Sequence, residues 1–151
     1  MKEIVIAGAG KIGSTVALML AESGDYRVVL ADRDAAQLDA AEKHPAIETA
    51  AVDIADGGAL RALLKGRFAV LSAAPFQLTT TIAEAAADAG VHYLDLTEDV
   101  ASTKRVKELA QDAATAFIPQ CGLAPGFISI VAHELASRFE RLDTVRLRVG
   151  A

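Results

Sequence analysis

The sequence contains a single cysteine, Cys121, among its 151 residues, and this scarcity excludes several kinds of protein. One cysteine can form neither an intrachain disulfide nor a CxxC metal site. The three histidines, His44, His92 and His133, are scattered and show no spacing typical of metal ligands. We therefore expect a protein without a metal site.

Basic residues are also in the minority. The chain has 15 Lys and Arg against 20 Asp and Glu, which gives a formal net charge of −5 and an isoelectric point near 5.1. This balance leaves no basic face for a nucleic-acid partner. An acidic total still permits an anionic ligand, because backbone amides and helix dipoles bind such groups locally.

Long apolar runs are missing as well. No stretch approaches the roughly 18 residues that a membrane span needs. The N-terminal segment MKEIVIAGAG has too short an apolar run to be a signal peptide. Hydrophobic residues nevertheless make up 52% of the chain and charged residues 23%, which is typical of a folded globular protein. We expect one soluble, cytoplasmic domain with no membrane partner.

Strand-length apolar segments alternate with helix-length segments along the whole chain. Seven strands are predicted, in EIVIAGA, YRVVLADR, AIETAAVD, FAVLSAAP, VHYLDLT, AFIPQCG and DTVRLRVGA. Helices are predicted between them, including a short one over residues 34–43, a charged one over residues 99–114 and an apolar-striped one in FISIVAHELASRF. This alternation predicts a Rossmann-like α/β fold of three layers, in which a doubly wound, mostly parallel sheet has helices on both faces.

The segment IVIAGAGKIG contains three glycines, Gly8, Gly10 and Gly13, at the spacing of a dinucleotide-binding turn. They follow a predicted strand and open a predicted helix, as that motif requires. Gly8 would allow the tight turn, Gly10 the approach of a pyrophosphate and Gly13 the close packing of helix on strand. The amides near Lys11 and Ile12 would face the phosphates. The alternative is a glycine-rich turn in an α/β domain that binds no nucleotide.

A carboxylate at the end of the second predicted strand supports the binding interpretation. Asp32 follows the glycines at the spacing that lets an acidic residue accept ribose hydroxyls, although DRDAAQ also resembles a helix N-cap. Its charge would repel the 2′-phosphate of NADP, whereas the neighbouring Arg33 can accept that phosphate. We predict NAD or NADP as the cofactor and favour NAD.

Loops after the third and fourth strands should border the same crevice. Asp53 and Ile54 are candidates to contact the adenine, and the alternative is that Asp53 caps the next helix. Ala73, Ala74 and Pro75 would let the nicotinamide ribose lie close to the backbone. The alternative for these small residues is simple packing.

Five segments, GAGKIG, ADRD, VLSAAPF, AGVHYLDLTED and CGLAPG, together resemble the N-terminal NAD(P)-binding domain of the saccharopine dehydrogenase-like family. That family includes saccharopine reductases, lysine 6-dehydrogenases and carboxynorspermidine synthases. The resemblance covers essentially the whole chain and is most specific in GVHYLDLTED and GLAPG. It implies an oxidoreductase of amino-acid metabolism that transfers a hydride between a nicotinamide ring and an amine or imine carbon.

The resemblance also implies a domain organisation. Residues 1–140 would form the NAD(P)-binding domain, and residues 141–151 would begin a missing catalytic and dimerisation domain that supplies much of the amino-acid site. We therefore expect the full-length protein to be a homodimer and this chain alone to be an inactive fragment. The non-catalytic alternative is an NAD-sensing regulatory domain of a transport system.

Candidates on the substrate side are few, and no catalytic residue is assigned. Asp95, Thr97 and Glu98 end the fifth strand near the expected nicotinamide and could contact substrate. The backbone of Cys121 and Gly122 could meet the nicotinamide carboxamide. The alternatives are that Asp95 is a buried, hydrogen-bonded strand residue, that Glu98 starts a helix and that Cys121 lies in the core.

Overall fold

The computed structural model describes residues 1–150, and within them strands and helices alternate. The strands are β1 (Lys2–Ala7), β2 (Tyr26–Asp32), β3 (Ile47–Ala51), β4 (Ala69–Ser72), β5 (His92–Asp95) and β6 (Phe117–Ile118). The helices are α1 (Lys11–Glu22), α2 (Ala35–Ala40), α3 (Gly57–Leu64), α4 (Thr79–Ala89), α5 (Val100–Ala110) and α6 (Phe127–Ala136). A 3₁₀ turn, Phe76–Leu78, precedes α4.

The six strands of the described chain form one sheet in the order β3-β2-β1-β4-β5-β6, and every neighbouring pair is parallel. The chain moves outward from β1 through β2 to β3, then crosses back to place β4 on the other side of β1. Ile4 of β1 consequently lies opposite both Val28 and Ala69. The predicted doubly wound fold is confirmed, and its switch point lies between β1 and β4.

Each face of the sheet carries its own buried core, because successive side chains of a strand point to opposite faces. Val5 and Ala7 pack in a cluster with side chains of α3, α4 and α5. Ile4 and Ile6 pack in a second cluster with side chains of α1 and α2. Two helical layers therefore enclose the sheet, as the continuous apolar strands predict.

The helix ends follow simple local rules. The helices α2, α3 and α5 begin after Asp34, Asp56 and Asp99, whose carboxylates accept amide N–H groups of the first turn. Helix α4 ends at Gly90, which adopts the left-handed conformation with φ of 66°. None of the helices within residues 1–150 is both long and apolar enough to cross a lipid bilayer.

Three predicted helices are longer than the structure shows, and one of them is α6, which ends at Ala136 rather than at the end of FISIVAHELASRF. Helix α2 ends at Ala40 rather than at position 43, and the backbone of Ala41 is already extended. Helix α5 ends at Ala110 rather than at position 114.

The C-terminal part departs most from prediction. The seventh strand is wrong for the residues that the structure describes: residues 144–150 are exposed and pair with no strand, and Ala151 lies outside the described residues. A strand pattern needs a partner strand to become a strand, and β6 pairs only with β5. The apolar stripe of α6 also remains exposed, for instance 70% at Ile130 and 51% at Leu135.

Candidate functional site

A cleft of about 490 Å³ opens where the carboxyl ends of β1, β2 and β4 meet. We call it the switch-point cleft. Its lining comes from the loops that follow β1, β2, β3 and β4, and consists of Gly8, Gly10, Asp32, Arg33, Asp34, Gln37, Asp53, Ile54, Ala55, Ala73, Ala74, Pro75 and Leu78. Parallel α/β sheets bind their ligands at this position.

The glycine turn between β1 and α1 forms one wall of the cleft. Gly8 has φ of +113°, and a Cβ there would lie 2.7 Å from the carbonyl oxygen of Ala73. A Cβ on Gly13 would overlap the carbonyl oxygen of Gly8. Gly10 differs, because a Cβ built on it would meet nothing within 4 Å. The turn is therefore closed against β4 and leaves open space at Gly10, where a ligand can approach the backbone.

The N-terminus of α1 borders that open space. Helix α1 has 12 residues, no side-chain cap and no acidic residue in its first turn. The amides of Lys11, Ile12 and Gly13 consequently have no intrahelical acceptor, and the helix dipole makes this end positive. The side chains of Lys11 and Ile12 are exposed. The turn and the helix start together fit a phosphate group.

Asp32 connects the end of β2 to the glycine turn. One oxygen of its carboxylate (Oδ2) accepts the Ala9 N–H at 2.8 Å, and the other (Oδ1) accepts the Asp34 N–H at 2.9 Å. Each oxygen has a second lone pair, so the carboxylate can still accept hydroxyl groups. Two amides therefore fix Asp32 in an orientation that borders the cleft.

The remaining predicted residues of the cleft differ in exposure. Arg33 is exposed and forms no ion pair within residues 1–150. Asp53 is exposed and accepts the Ala55 N–H, while α3 is capped by Asp56, so the interpretation of Asp53 as the helix cap is wrong. Ile54 is only 5% exposed and forms part of the floor.

Sequence reasoning missed two lining residues that lie further along their segments. Gln37 stands one turn into α2, and Leu78 ends the 3₁₀ turn after β4. Gln37 could have been predicted as a lining residue because it lies in the first turn of α2, three residues after Asp34, which caps that helix and itself lines the cleft. Leu78 carries no signal beyond its place after Pro75.

In the half of the sheet that contains β5 and β6, a buried carboxylate connects the loops that follow these two strands. Asp95 is 0% exposed. Its carboxylate accepts the Tyr93 hydroxyl at 2.9 Å, the Thr97 N–H at 3.1 Å and the Gln120 N–H at 2.9 Å. Its backbone carbonyl accepts the Cys121 N–H at 2.7 Å. Asp95 is therefore a buried, hydrogen-bonded strand residue that holds two loops together.

Tyr93 shares this network as a donor. Burial is the main cause that raises the pKa of Tyr93 far above its ordinary value, and the negative charge of Asp95 raises it further. The phenol stays protonated, so it can donate to Asp95 but cannot act as a base.

Cys121 is exposed, so the interpretation that places it in the core is wrong. Strand β6 ends at Ile118, and the thiol donates to the Ile118 carbonyl at 3.2 Å. Partial burial is the main cause that raises the pKa of Cys121, and the negative charge of Asp95 raises it further. The raised pKa disfavours the reactive thiolate. The neighbouring Gly122 lies close to the loop that follows β5, since a Cβ on Gly122 would be 3.0 Å from the Leu96 carbonyl oxygen.

Two further cavities lie beyond the switch-point cleft. The connecting cavity, of about 150 Å³, is lined by Ile12, Ser72, Ala73, Ala74, Phe76, Thr79, Leu96 and Thr97. The outer cleft, of about 570 Å³, is lined by Phe76, Leu96, Thr97, Glu98, Asp99, Leu123, Ala124 and Val149. Thr97 and Glu98 therefore lie together in the loop that follows β5. Helix α5 is capped by Asp99 rather than by Glu98. Within residues 1–150, no three His, Cys, Asp or Glu side chains are grouped so as to hold a metal ion.

A comparison with family models decides the family. The model described as the saccharopine dehydrogenase NADP binding domain matches residues 4–119. The chain belongs to this family. The resemblance predicted from the sequence motifs is thereby confirmed, and the family is one of nicotinamide-dinucleotide-binding domains. A dinucleotide, the ligand of this family, fits the glycine turn, because Gly10 leaves open space while Gly8 and Gly13 do not.

Solved structures show the same fold. Saccharopine dehydrogenase (L-Glu forming) from Saccharomyces cerevisiae superposes with a TM-score of 0.76 over 91% of this chain at 20% identity. The chain spans 31% of that protein's length. UDP-glucuronic acid 4-epimerase from Bacillus cereus, in complex with NAD, gives a TM-score of 0.60 over 78% of this chain and 54% of its own length at 15% identity. A Rossmann-fold NAD(P)-binding family protein from Shigella flexneri gives 0.60 over 79% of this chain and 66% of its own length at 17% identity.

Proposed function

We propose that this domain binds NAD or NADP in the switch-point cleft and serves an oxidoreductase that acts on a C–N bond of an amino-acid substrate. One observation carries the proposal. The glycine turn, the uncapped start of α1 and the fixed carboxylate of Asp32 all border one cleft at the switch point of the sheet. Family membership supports the choice of an oxidoreductase.

Each part of the cleft has a distinct task in this proposal. The amides at the start of α1 and the open backbone at Gly10 hold the pyrophosphate. Asp32 accepts the hydroxyls of the adenosine ribose. The connecting cavity holds the nicotinamide, since a cavity of about 150 Å³ is large enough for one six-membered ring. The nicotinamide supplies the hydride chemistry, and the chain orients the ring.

Two adjacent residues bear on the choice between NAD and NADP. Asp32 is held by two amide N–H groups, which fix its carboxylate at the edge of the cleft. In this proposal that carboxylate lies beside the 2′ position of the ribose. Arg33 is exposed and free to move toward a 2′-phosphate. A fixed like charge disfavours the phosphate more than a mobile, solvated opposite charge favours it, because the mobile side chain loses rotamer entropy on binding. We therefore favour NAD.

The test is a titration of the full chain with NADH and with NADPH, followed by nicotinamide fluorescence. We expect NADH to bind more tightly, and Asp32→Ala to weaken NADH binding about tenfold through loss of charge-assisted hydrogen bonds. Arg33→Ala should weaken NADPH only. Asp112→Ala, which removes an exposed carboxylate elsewhere, serves as the control. Absence of binding for both dinucleotides would overturn the proposal.

A further inference from the structure

The connecting cavity presents a mostly apolar lining to a ring that occupies it. Apart from aliphatic side chains and the ring of Phe76, its lining within residues 1–150 carries the hydroxyl groups of Ser72, Thr79 and Thr97. The faces of a ring fit such a lining, whereas its polar substituents need hydrogen-bond partners. Of these hydroxyl groups, that of Ser72 lies next to the buried network of Tyr93 and Asp95.

Ser72 ends β4 on the face of the sheet that carries this network. In the pairing of β4 with β5, Val70 lies opposite Tyr93 and Ser72 lies opposite Asp95. Ser72 is 3% exposed, and its Oγ forms no hydrogen bond of regular geometry within residues 1–150. Native structures leave few buried hydroxyl groups incompletely bonded, because such groups lose their hydration without compensation. The bonding of Ser72 is therefore completed by a further group.

The proton of the Ser72 hydroxyl has an acceptor, the oxygen of Tyr93. Burial and the charge of Asp95 raise the pKa of Tyr93, whereas the Ser72 hydroxyl lowers it. A hydroxyl group lowers the pKa of a phenol by donating to its oxygen. The phenol donates its own proton to Asp95 at 2.9 Å, since the Thr79 carbonyl is more distant, at 3.4 Å. The donors therefore point from Ser72 through Tyr93 to Asp95.

This direction determines what Ser72 offers to the cavity. With its proton directed to Tyr93, the Oγ of Ser72 has only lone pairs left. A ligand group that donates an N–H completes its bonding, whereas a methyl or carbonyl group leaves the oxygen unpaired. On a nicotinamide ring, the N–H donor is the NH2 of the carboxamide.

We propose that Ser72 accepts a hydrogen bond from the carboxamide NH2 of the nicotinamide, so that the connecting cavity selects cofactors by the donor that their ring carries. The inference rests on the proposed function, because it names the group of the same cofactor that this cavity recognises. Ser72 is then a cofactor-binding residue. Tyr93 is a positioning residue, because it acts on the cofactor only by holding the proton of Ser72.

The test compares three probes, each titrated into the full chain by calorimetry. They are NADH, reduced 3-acetylpyridine adenine dinucleotide, in which a methyl group replaces the NH2, and ADP-ribose, which lacks the ring. We expect the acetylpyridine analogue to bind about tenfold more weakly than NADH, because it leaves the Oγ of Ser72 unpaired. Ser72→Ala should weaken NADH about fivefold and bring the two dinucleotides to within about twofold. Its affinity for ADP-ribose should equal that of the native chain.

Tyr93→Phe tests the direction of the hydrogen bonds. It keeps the ring, which packs in the core, and removes the acceptor of the Ser72 proton. Ser72 is then free to donate to the acetyl oxygen, so the preference for NADH should fall while ADP-ribose binding stays unchanged. The matched control is Thr103→Val. Thr103 is 7% exposed and its Oγ1 also lacks a hydrogen bond, but it lies outside the lining of the cavity, so the tenfold preference should remain.

Three results would overturn the inference: equal binding of NADH and its acetylpyridine analogue to the native chain, an unchanged preference in Ser72→Ala, or equal loss of NADH and ADP-ribose affinity in Ser72→Ala. The last result would place the contact at a ribose. A tenfold preference that survives Tyr93→Phe would overturn the assigned direction. Failure of the proposed function is separate, because it appears as absence of binding for all three probes. Circular dichroism checks that the variants fold, and the comparison in the native chain needs no variant.

Discussion

The two halves of the sheet are held in place by different means. Around the switch-point cleft, β1 and β2 have six and seven residues, and backbone contacts close the glycine turn against β4. At the other edge, β5 and β6 have four and two residues, and the carboxylate of Asp95 connects their loops. The half around the glycine turn therefore depends on steric fit of the backbone, whereas the edge formed by β5 and β6 depends on one side chain.

The difference predicts where each half is vulnerable. A side chain added at the glycine turn displaces backbone that belongs to the central strands, so its effect should be global. Loss of the Asp95 carboxylate should release loops at one edge and leave the centre of the sheet in place.

The largest effect should come from Gly13→Ala. The added Cβ overlaps the carbonyl oxygen of Gly8, and neither backbone segment can move without separating α1 from β1. We expect the free energy of unfolding to fall by about 3 kcal/mol, measured by urea denaturation. The matched control is Gly10→Ala, where φ is −66° and the Cβ meets nothing within 4 Å. It should keep the stability and lose NADH affinity, and equal stability of both variants would contradict the steric account.

Asp95→Ala should have the next largest effect, confined to one edge of the sheet. It leaves the Tyr93 hydroxyl and the amides of Thr97 and Gln120 without their acceptor, at a cost of about 2 kcal/mol. Hydrogen exchange should accelerate at Gln120, while the Gly8 amide, bonded to the Ala31 carbonyl, should stay protected.

The conservative variant sharpens this result. Asp95→Asn keeps one acceptor oxygen, so exchange at the β5 and β6 loops should lie between that of the native chain and that of Asp95→Ala. Equal acceleration at Gly8 and Gln120 would show that the two halves are not separable in the way described.

The smallest effect concerns the reactivity of Cys121. Burial and the charge of Asp95 both raise the pKa of this thiol, so alkylation by iodoacetamide should reach half its maximal rate at a higher pH than for a free cysteine derivative. Removing the charge with Asp95→Asn should lower that midpoint. The chain has one cysteine, so the rate reports this thiol alone. A midpoint at or below that of the free derivative would contradict the assigned environment.

Much of the cofactor side was predictable because its signals are local. The apolar runs of β1 and β2, the glycine spacing and the position of Asp32 lie close together in the chain, and the structure brings them to one cleft. The edge formed by β5 and β6 was less predictable, because its contacts join distant positions. Nothing in the sequence shows that Asp95 accepts the Gln120 amide, or that Cys121 is exposed after a strand of two residues.

The predicted seventh strand shows the same limit. TVRLRVG has the alternation of a strand, but alternation describes a surface with two faces and supplies no partner for the backbone. For Asp53 the local pattern was ambiguous rather than incomplete. Both Asp53 and Asp56, three residues later, fitted a helix cap by type, and Asp56 caps the helix.

The central place of β1 has a consequence for biosynthesis. Strand β1 precedes the other described strands in the chain, yet one of its two neighbours is β4, with Ile4 opposite Ala69. The carbonyl of Ala73, against which Gly8 closes, follows that strand. A nascent chain therefore cannot complete its glycine turn until nearly half of these residues have left the ribosome. Until then, the glycine segment is held on one side only, by β2.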